Sequence, residues 1–198
     1  MKEAWDERFA HDEYFYGTEP TPFFKEILEE LTAGKILLLG EGEGKNSVFA
    51  AQKGWETDAI DFSEEAKKKA LKLAGENNVT INYHVEDLSH YVPKTDYFDA
   101  VGLFYLHVGE ELRIKIHKNV MNSLKIGGTV ILQCFSEDQL KYNSGGPKKL
   151  DYLYTLEQIY TDFQDLDLIK FEKVEIELNE GNHHKGVASV IKFVGRKV

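Results

Sequence analysis

Seven consecutive residues, Gly40-Glu41-Gly42-Glu43-Gly44-Lys45-Asn46, alternate glycine with charged or polar side chains. Glycine on every second position lets a chain turn tightly and brings its backbone close to a ligand. Asp61 follows 17 residues after Gly44. A carboxylate at that remove from a glycine loop can accept both hydroxyls of a ribose. Asp87 stands in Val85-Glu86-Asp87-Leu88, and an ionised Asp accepts hydrogen bonds from an exocyclic amine such as that of adenine. The three features together make a nucleoside site. Each also has a plain structural reading. The loop can be a bare strand-to-helix turn, Asp61-Phe62-Ser63 can simply start a helix, and Asp87 can be an ordinary loop residue.

The charges in the loop bear on which nucleoside is held. A strict G-x-G-x-x-G dinucleotide pattern counted from Gly40 needs glycine where Lys45 stands, and the shifted match Gly42-x-Gly44-x-x-Ser47 starts late. Pyrophosphate favours an uncrowded helix N-terminus, and the carboxylates of Glu41 and Glu43 repel it. They suit a ligand that carries an ammonium or a sulfonium. S-adenosylmethionine carries both.

These residues need strand ends to hold them. Ile36–Leu39 is a continuous apolar run, as in a strand buried on both faces, and the glycine loop follows it directly. Ser47–Lys53 reads as a helix and Thr57–Ile60 as a second strand that ends at Asp61. Ser63 is a helix N-cap, and that helix runs to about Glu76. Val79–Val85 and Phe98–Phe104 read as third and fourth strands. Leu112, Ile116, Val120 and Leu124 recur at helical spacing, so Glu110–Leu124 is a helix, which Gly127-Gly128 should end. Thr129–Phe135 is a fifth strand, and Leu156–Phe163 a helix. Two alternating strands, Ile169–Leu178 and Val187–Val194, close the chain as a hairpin. Alternating strands and helices imply a parallel sheet with helices on its faces. The expected fold is α/β: a Rossmann-like, doubly wound, mostly parallel sheet with an antiparallel C-terminal hairpin at one edge. Before it comes an aromatic-rich lead with Trp5, Phe9, Tyr14, Phe15 and Tyr16, then a helix opened by Pro20 and Pro22.

The chain has 198 residues, 42% of them hydrophobic, enough for one domain with a real core. We expect residues 1–198 to be one domain, 1–32 a helical cap and 33–198 the α/β core. A net charge of −10 repels phosphate backbones and anionic lipid, so neither nucleic acid nor a membrane surface is expected as a partner. No apolar run approaches a membrane span, and Lys2, Glu3, Asp6, Glu7 and Arg8 leave no apolar signal core. Cys134 is the one cysteine, which fits a reducing, cytoplasmic setting. A monomer or a homodimer is expected.

The segment Ile36–Asn46, with Asp61 and Asp87, resembles the class I S-adenosylmethionine-dependent methyltransferases. Four further motifs resemble the tellurite-resistance and thiopurine-type small-molecule branch. They are Trp5-Asp6-Glu7-Arg8-Phe9, Tyr16-Gly17-Thr18-Glu19-Pro20, Gly145-Gly146-Pro147-Lys148, and the Glu180-Gly-Asn-His-His-Lys-Gly186 turn between the last strands. One position departs: the acidic residue common two places before the glycine loop is Leu38, which leaves Glu41 as the nearest substitute for holding the methionine ammonium. The resemblance implies that Gly40, Gly42 and Gly44 shape the loop under the methionine portion, with Glu41 and Asn46 near its polar groups. It implies that Asp61 takes the ribose hydroxyls, Phe62 stacks beside adenine, and Glu86, Asp87 and Leu88 line the adenine edge. Phe104 and Tyr105 would wall the transfer site, and Tyr16 and Trp5 would cover the cofactor.

The resemblance further implies methyl transfer to a small-molecule acceptor, leaving S-adenosylhomocysteine. A soft thiol or chalcogen oxyanion arrives ionised and needs little help from a base; an oxygen or nitrogen acceptor needs one. Candidates are His107, His183 or His184, and Tyr105. No metal site is expected, because one Cys and scattered His do not make a closed site. Lys141, Lys148 and Lys149 are expected to form a positive rim on the acceptor pocket, with Gly145-Gly146 as a hinge. Competing readings are a nicotinamide-dependent oxidoreductase on the same sheet type, and a non-catalytic nucleoside-binding module.

Overall fold

A computed structural model describes residues 2–181 and 183–198. Seven strands form one sheet: β1 (Lys35–Leu39), β2 (Glu56–Asp61), β3 (Asn82–Val85), β4 (Phe98–Phe104), β5 (Leu124–Phe135), β6 (Leu166–Glu180) and β7 (His184–Lys197). Their order is β3-β2-β1-β4-β5-β7-β6. The first five run parallel; β7 pairs antiparallel with both β5 and β6. The helices are α1 (Lys2–Phe9), α2 (Pro22–Glu30), α3 (Lys45–Gln52), α4 (Glu64–Glu76), α5 (Glu110–Ser123) and α6 (Leu156–Phe163). This is the Rossmann-like fold with a C-terminal antiparallel hairpin expected from sequence.

The side-chain alternation of β1 divides the core. Ile36 and Leu38 pack with Phe24, Leu28 and Phe49 of α2 and α3. Leu37 and Leu39 pack on the other face with Ile116 and Val120 of α5 and Ile159 and Phe163 of α6. Leu38 is therefore a core residue of the α2 layer, 1% exposed. That is the physical content of its departure from an acidic type. Ser63 caps α4, its hydroxyl accepting from Ala66 N–H at 3.2 Å, and Thr155 with Gln158 forms a reciprocal capping box at α6.

Three expectations change. Gly127-Gly128 does not end α5. That helix stops at Ser123 because Leu124 turns extended, and the glycine pair lies inside β5, where the pairing with β4 slips between Phe98 and Ala100. Val79 does not start β3; its N–H donates to Ala74 O and closes α4. The hairpin is longer than the apolar alternation indicated, because backbone pairing continues from Leu166↔Lys197 to Glu180↔His184. Asn182 of the hairpin-turn motif lies outside the described residues.

Candidate functional site

The connections leaving β1 and β4 run to opposite sides of the sheet, so a crevice opens at their carboxyl ends. A cavity of about 850 Å³ occupies it, with Gly40, Gly42, Asp61, Asp87, Phe104 and Tyr105 in its wall. Gly42 sits at φ +62°, in the left-handed region that favours glycine. Its N–H donates to Asp61 Oδ2 at 3.0 Å, and its carbonyl accepts from Tyr83 OH at 2.6 Å. Gly44 has a different task. A Cβ there would lie 2.6 Å from Ala70 Cβ, so Gly44 lets α4 pack against the loop and stays out of the cavity wall.

Asp61 is buried, and its second oxygen accepts from Ser63 N–H at 3.0 Å. Burial pushes its carboxyl up to about 6, against the pull of the Ser63 and Gly42 N–H groups. Glu41 accepts from Ser47 N–H at 2.6 Å, and burial pushes it up to about 7. At both carboxylates burial outweighs the groups that favour ionisation, the Lys45 charge near Glu41 among them. Asn46 lines the cavity, but its Oδ1 is engaged by Thr21 N–H at 2.9 Å, which ties α3 to the start of α2. Phe62 and Leu88 line the cavity beside Asp87, whose Oδ1 accepts from Ser89 N–H at 2.8 Å. Glu86 is not in the wall. Its N–H donates to Asp61 O at 2.9 Å and continues the β2–β3 pairing.

Glu43 is not the free loop carboxylate that the sequence suggested. It is buried, paired with Lys69 at 2.6 Å, and accepts from Phe15 N–H at 2.8 Å and Tyr16 N–H at 3.3 Å. It clamps the N-terminal lead across the cavity. Arg8 joins that lead, its guanidinium 4.3 Å from the Trp5 ring and 5.0 Å from the Phe15 ring, and donates to Tyr16 OH at 3.3 Å. Phe15 stacks on His183 with ring centroids 3.5 Å apart. Trp5, Phe15 and Tyr16 all line the cavity.

The other end of the cavity lies between the loop after β4 and the hairpin turn. Tyr105 takes φ +53°, a strained conformation for a side-chain-bearing residue, held by its N–H to Gln133 O at 2.8 Å. Burial raises its phenol well above the ordinary range, and the hydroxyl is bonded to Gln133 Nε2. His107 does not fit a free base. Its Nδ1 meets Tyr152 O at 2.6 Å and its Nε2 accepts from Phe135 N–H at 3.3 Å. Burial pushes it down to about 4, so it is a neutral strut. His184 is buried, with Nδ1 3.4 Å from Glu180 Oε2 and its ring 4.4 Å from Tyr16.

The lysine rim is absent from the cavity wall. Gly145, Gly146 and Pro147 line the cavity, but Lys141 pairs with Asp138 at 2.6 Å and Lys148 donates to Tyr142 O at 2.8 Å. The glycine pair is a packing device rather than a hinge. A Cβ on Gly145 would fall 2.5 Å from His184, and one on Gly146 would fall 2.7 Å from the Phe135 ring. Burial raises the Cys134 thiol far above its usual value, as expected of an inert core thiol.

Two residues of this end were not singled out from sequence. Lys45 Nζ lies 3.0 Å from Glu180 Oε2, and both side chains are in the cavity wall. Glu180 recurs four residues before His184, a spacing visible in the turn motif. Its partner Lys45 lies in another part of the chain, so no local pattern joins them.

Residues 36–128 match the family model described as a methyltransferase domain. No curated protein sequence matches the chain. Among solved structures, one from the conversion of a disulfide bond into a thioacetal group during echinomycin biosynthesis is 13% identical, with TM-score 0.82, over 100% of this chain and 91% of that one. TehB from Haemophilus influenzae is 15% identical, with TM-score 0.75, over 100% of this chain and 67% of its own. The N-methyltransferase NodS from Bradyrhizobium japonicum, in complex with S-adenosylhomocysteine, is 14% identical, with TM-score 0.70, over 99% and 97%. Residues 36–128 thus match a methyltransferase domain, and the chain as a whole takes the Rossmann-like fold of the S-adenosylmethionine-dependent methyltransferases.

Proposed function

We propose that the chain, acting as one unit of residues 1–198, is an S-adenosylmethionine-dependent methyltransferase. Its acceptor is a small molecule with a soft nucleophile, a thiol or a chalcogen oxyanion. The observation that carries the acceptor class is the state of His107. Both its ring nitrogens are engaged and it is held neutral, so it has no proton-accepting capacity to lend. Tyr105 is equally committed, to Gln133. A nucleophile that arrives ionised needs neither. The echinomycin-pathway structure, whose subject is sulfur chemistry, is in keeping with this reading.

The residues present suit the cofactor. Gly40 and Gly42 give a close backbone approach, and Asp61 offers carboxylate acceptors for ribose hydroxyls. Phe62, Asp87 and Leu88 border the adenine position, while Glu41 and Asn46 lie toward the methionine end. When bound, S-adenosylmethionine supplies a methyl group already activated on a sulfonium. The chain's own work is alignment and exclusion of water. Trp5, Phe15 and Tyr16 cover the cavity, and Phe104, Tyr105 and Phe135 wall the acceptor position. His184 is the remaining candidate base for an oxygen or nitrogen acceptor. A reducing, cytoplasmic setting suits a chain with one buried thiol. Among the described residues no helix is long and apolar enough to cross a membrane.

The test is calorimetry with S-adenosylmethionine, S-adenosylhomocysteine and both nicotinamide dinucleotides, followed by turnover on a thiol panel. Binding of the first two, with methyl transfer to thiols, is expected. Binding of a nicotinamide nucleotide alone would overturn the assignment. Cofactor binding without turnover on any acceptor would favour a non-catalytic module.

A further inference from the structure

Tyr154 is buried and stands outside the wall of the large cavity, but its hydroxyl reaches the loop that leaves β4. It accepts from Val108 N–H at 2.9 Å and turns its own proton toward Leu106 O at 3.0 Å and Val108 O at 3.3 Å. A hydroxyl has one donor and two lone pairs, so this loop takes up most of its bonding capacity. The ring is fixed by two neighbours: the His107 ring lies 5.3 Å away and the Arg113 guanidinium 5.5 Å. Arg113 is itself buried and paired with Asp162 at 3.0 Å. The backbone is tied to the end of β5. Tyr154 N–H donates to Phe135 O at 3.2 Å, and Glu137 N–H donates to Tyr154 O at 3.1 Å. The hydroxyl is therefore a fixed point, anchored to β5 and α5.

What this point holds is a strained stretch. Tyr105 takes φ +53°, and such a conformation persists only where the surroundings over-determine it. Tyr105 N–H to Gln133 O secures the start of the loop, and Tyr154 secures its far side at Leu106 and Val108. The loop is also the seam between the two ends of the cavity. Leu106 packs so closely over Gly40 that a Cβ there would lie 2.8 Å from Leu106 Cδ1. Tyr105 faces the other way, its ring 4.8 Å from Phe135 and 5.1 Å from His184. Resting on the methyltransferase reading above, we propose that Tyr154 is a positioning residue for methyl transfer. Its hydroxyl holds residues 105–108 so that Tyr105 keeps the acceptor in line with the methyl group. Tyr154 acts through Leu106 and Val108, from outside the cavity wall. The bond between Gly42 N–H and Asp61 does not depend on it. Loss of the hydroxyl therefore spares the cofactor's side of the cavity and loosens the alignment on which an in-line displacement depends.

The experiment compares wild type, Tyr154→Phe and Tyr154→Leu on the full chain. Calorimetry reads S-adenosylhomocysteine affinity, product formation reads kcat and KM for methyl transfer to benzenethiol, and chemical denaturation reads stability. Tyr154→Phe keeps the ring and loses only the hydroxyl. It is expected to lower kcat by roughly 10-fold to 100-fold, the scale of a small misplacement of reacting groups, with KM and S-adenosylhomocysteine affinity within about 2-fold of wild type. Tyr154→Leu also removes the ring, and is expected to add a loss of stability without a further large loss of kcat. An unchanged kcat in Tyr154→Phe, with only the denaturation midpoint lowered, overturns the proposal and leaves Tyr154 a packing residue. An equal fall in S-adenosylhomocysteine affinity and kcat also overturns it, because the hydroxyl then shapes the cofactor site and not the alignment. Should neither variant fold, hydrogen exchange on the wild type decides. The Val108 amide is expected to be protected, and exchange at the rate of an exposed loop amide overturns the brace. A wild type that binds neither S-adenosylmethionine nor S-adenosylhomocysteine overturns the methyltransferase reading itself, and this proposal with it. Binding without transfer to benzenethiol overturns the soft-acceptor class alone, and the Val108 exchange then decides the brace.

Discussion

The two ends of the cavity treat buried carboxylates in opposite ways. At the parallel-strand end, Asp61 and Glu41 are raised to about 6 and about 7, since burial outweighs the backbone N–H groups at both and the more modest pull of Lys45 on Glu41. At the hairpin end, burial alone would also raise Glu180, but the His184 hydrogen bond and the Lys45 charge hold it below the ordinary value. One end therefore offers carboxylates kept high by burial, and the other a carboxylate kept low by a neighbouring lysine and histidine. The first suits a neutral polyol such as a ribose, which brings donors. The fold supplies the first from strand ends, and the second only by bringing the hairpin across to α3.

The most severe way to break this division is to release the covering lead. Glu43→Ala takes the buried carboxylate from Lys69, whose Nζ keeps only Glu13 O, and frees the Phe15 and Tyr16 N–H groups. Removing one member of a buried pair costs about 3–5 kcal/mol, so chemical denaturation should show a loss of that size, with faster proteolysis near residues 10–19. A loss below about 1 kcal/mol would mean that the lead is not clamped by Glu43.

Next in size is Asp61→Ala. It should weaken S-adenosylhomocysteine binding by about 1.5–3 kcal/mol, the range for hydrogen bonds to a charged group. Unchanged affinity in calorimetry would reduce Asp61 to a brace for Gly42 and Ser63.

The contrast sharpens in the pH dependence of the ligand-free protein. Asp61 and Glu41 have folded values raised above their unfolded ones, so the folded state binds more protons and stability falls as pH rises from about 4 to about 7. Glu180 has the opposite sign. Its contribution is present above its unfolded value, near 4.5, and is lost as pH falls through its lower folded value. Between pH 5 and pH 7.5 the raised pair is opposed by His107 and His117, which burial holds neutral and whose contributions grow as pH rises. The pair is isolated by the difference in melting between wild type and Asp61→Asn, which should shift against the wild type as pH rises from 5 to 7.5, by about 2–4 °C per kcal/mol. A difference that does not change with pH would contradict the raised value of Asp61.

The smallest expected effect is a null one. Lys148→Ala with Lys149→Ala should change neither cofactor affinity nor the salt dependence of acceptor capture, since neither lysine is in the cavity wall. A salt-sensitive rise in the Michaelis constant would restore the positive rim.

Sequence reading succeeded where the determinant is local. Phe98–Phe104 and Leu156–Phe163 were legible to the residue, because an apolar run and a capped amphipathic pattern carry their own boundaries. That Gly40, Gly42 and Asp61 come together in one cavity wall was legible because a strand, a turn and the next strand end lie close together in the chain. Glu43, His107 and Gly44 were misread because their partners are distant: Phe15 and Lys69, Tyr152 and Phe135, and Ala70. Lys45–Glu180 escaped for the same reason. Charge at a loop position does not reveal whether it faces a ligand or another loop.

The most direct measurement of the central claim is a competition. The wild-type protein is given S-adenosylmethionine labelled in its methyl group, with an equimolar mixture of a small arenethiol and the phenol and aniline of the same shape, and the products are resolved by mass spectrometry. The account predicts that the label appears on sulfur, and that His184→Ala leaves this sulfur transfer largely intact. Label on oxygen or nitrogen, abolished by His184→Ala, would contradict it.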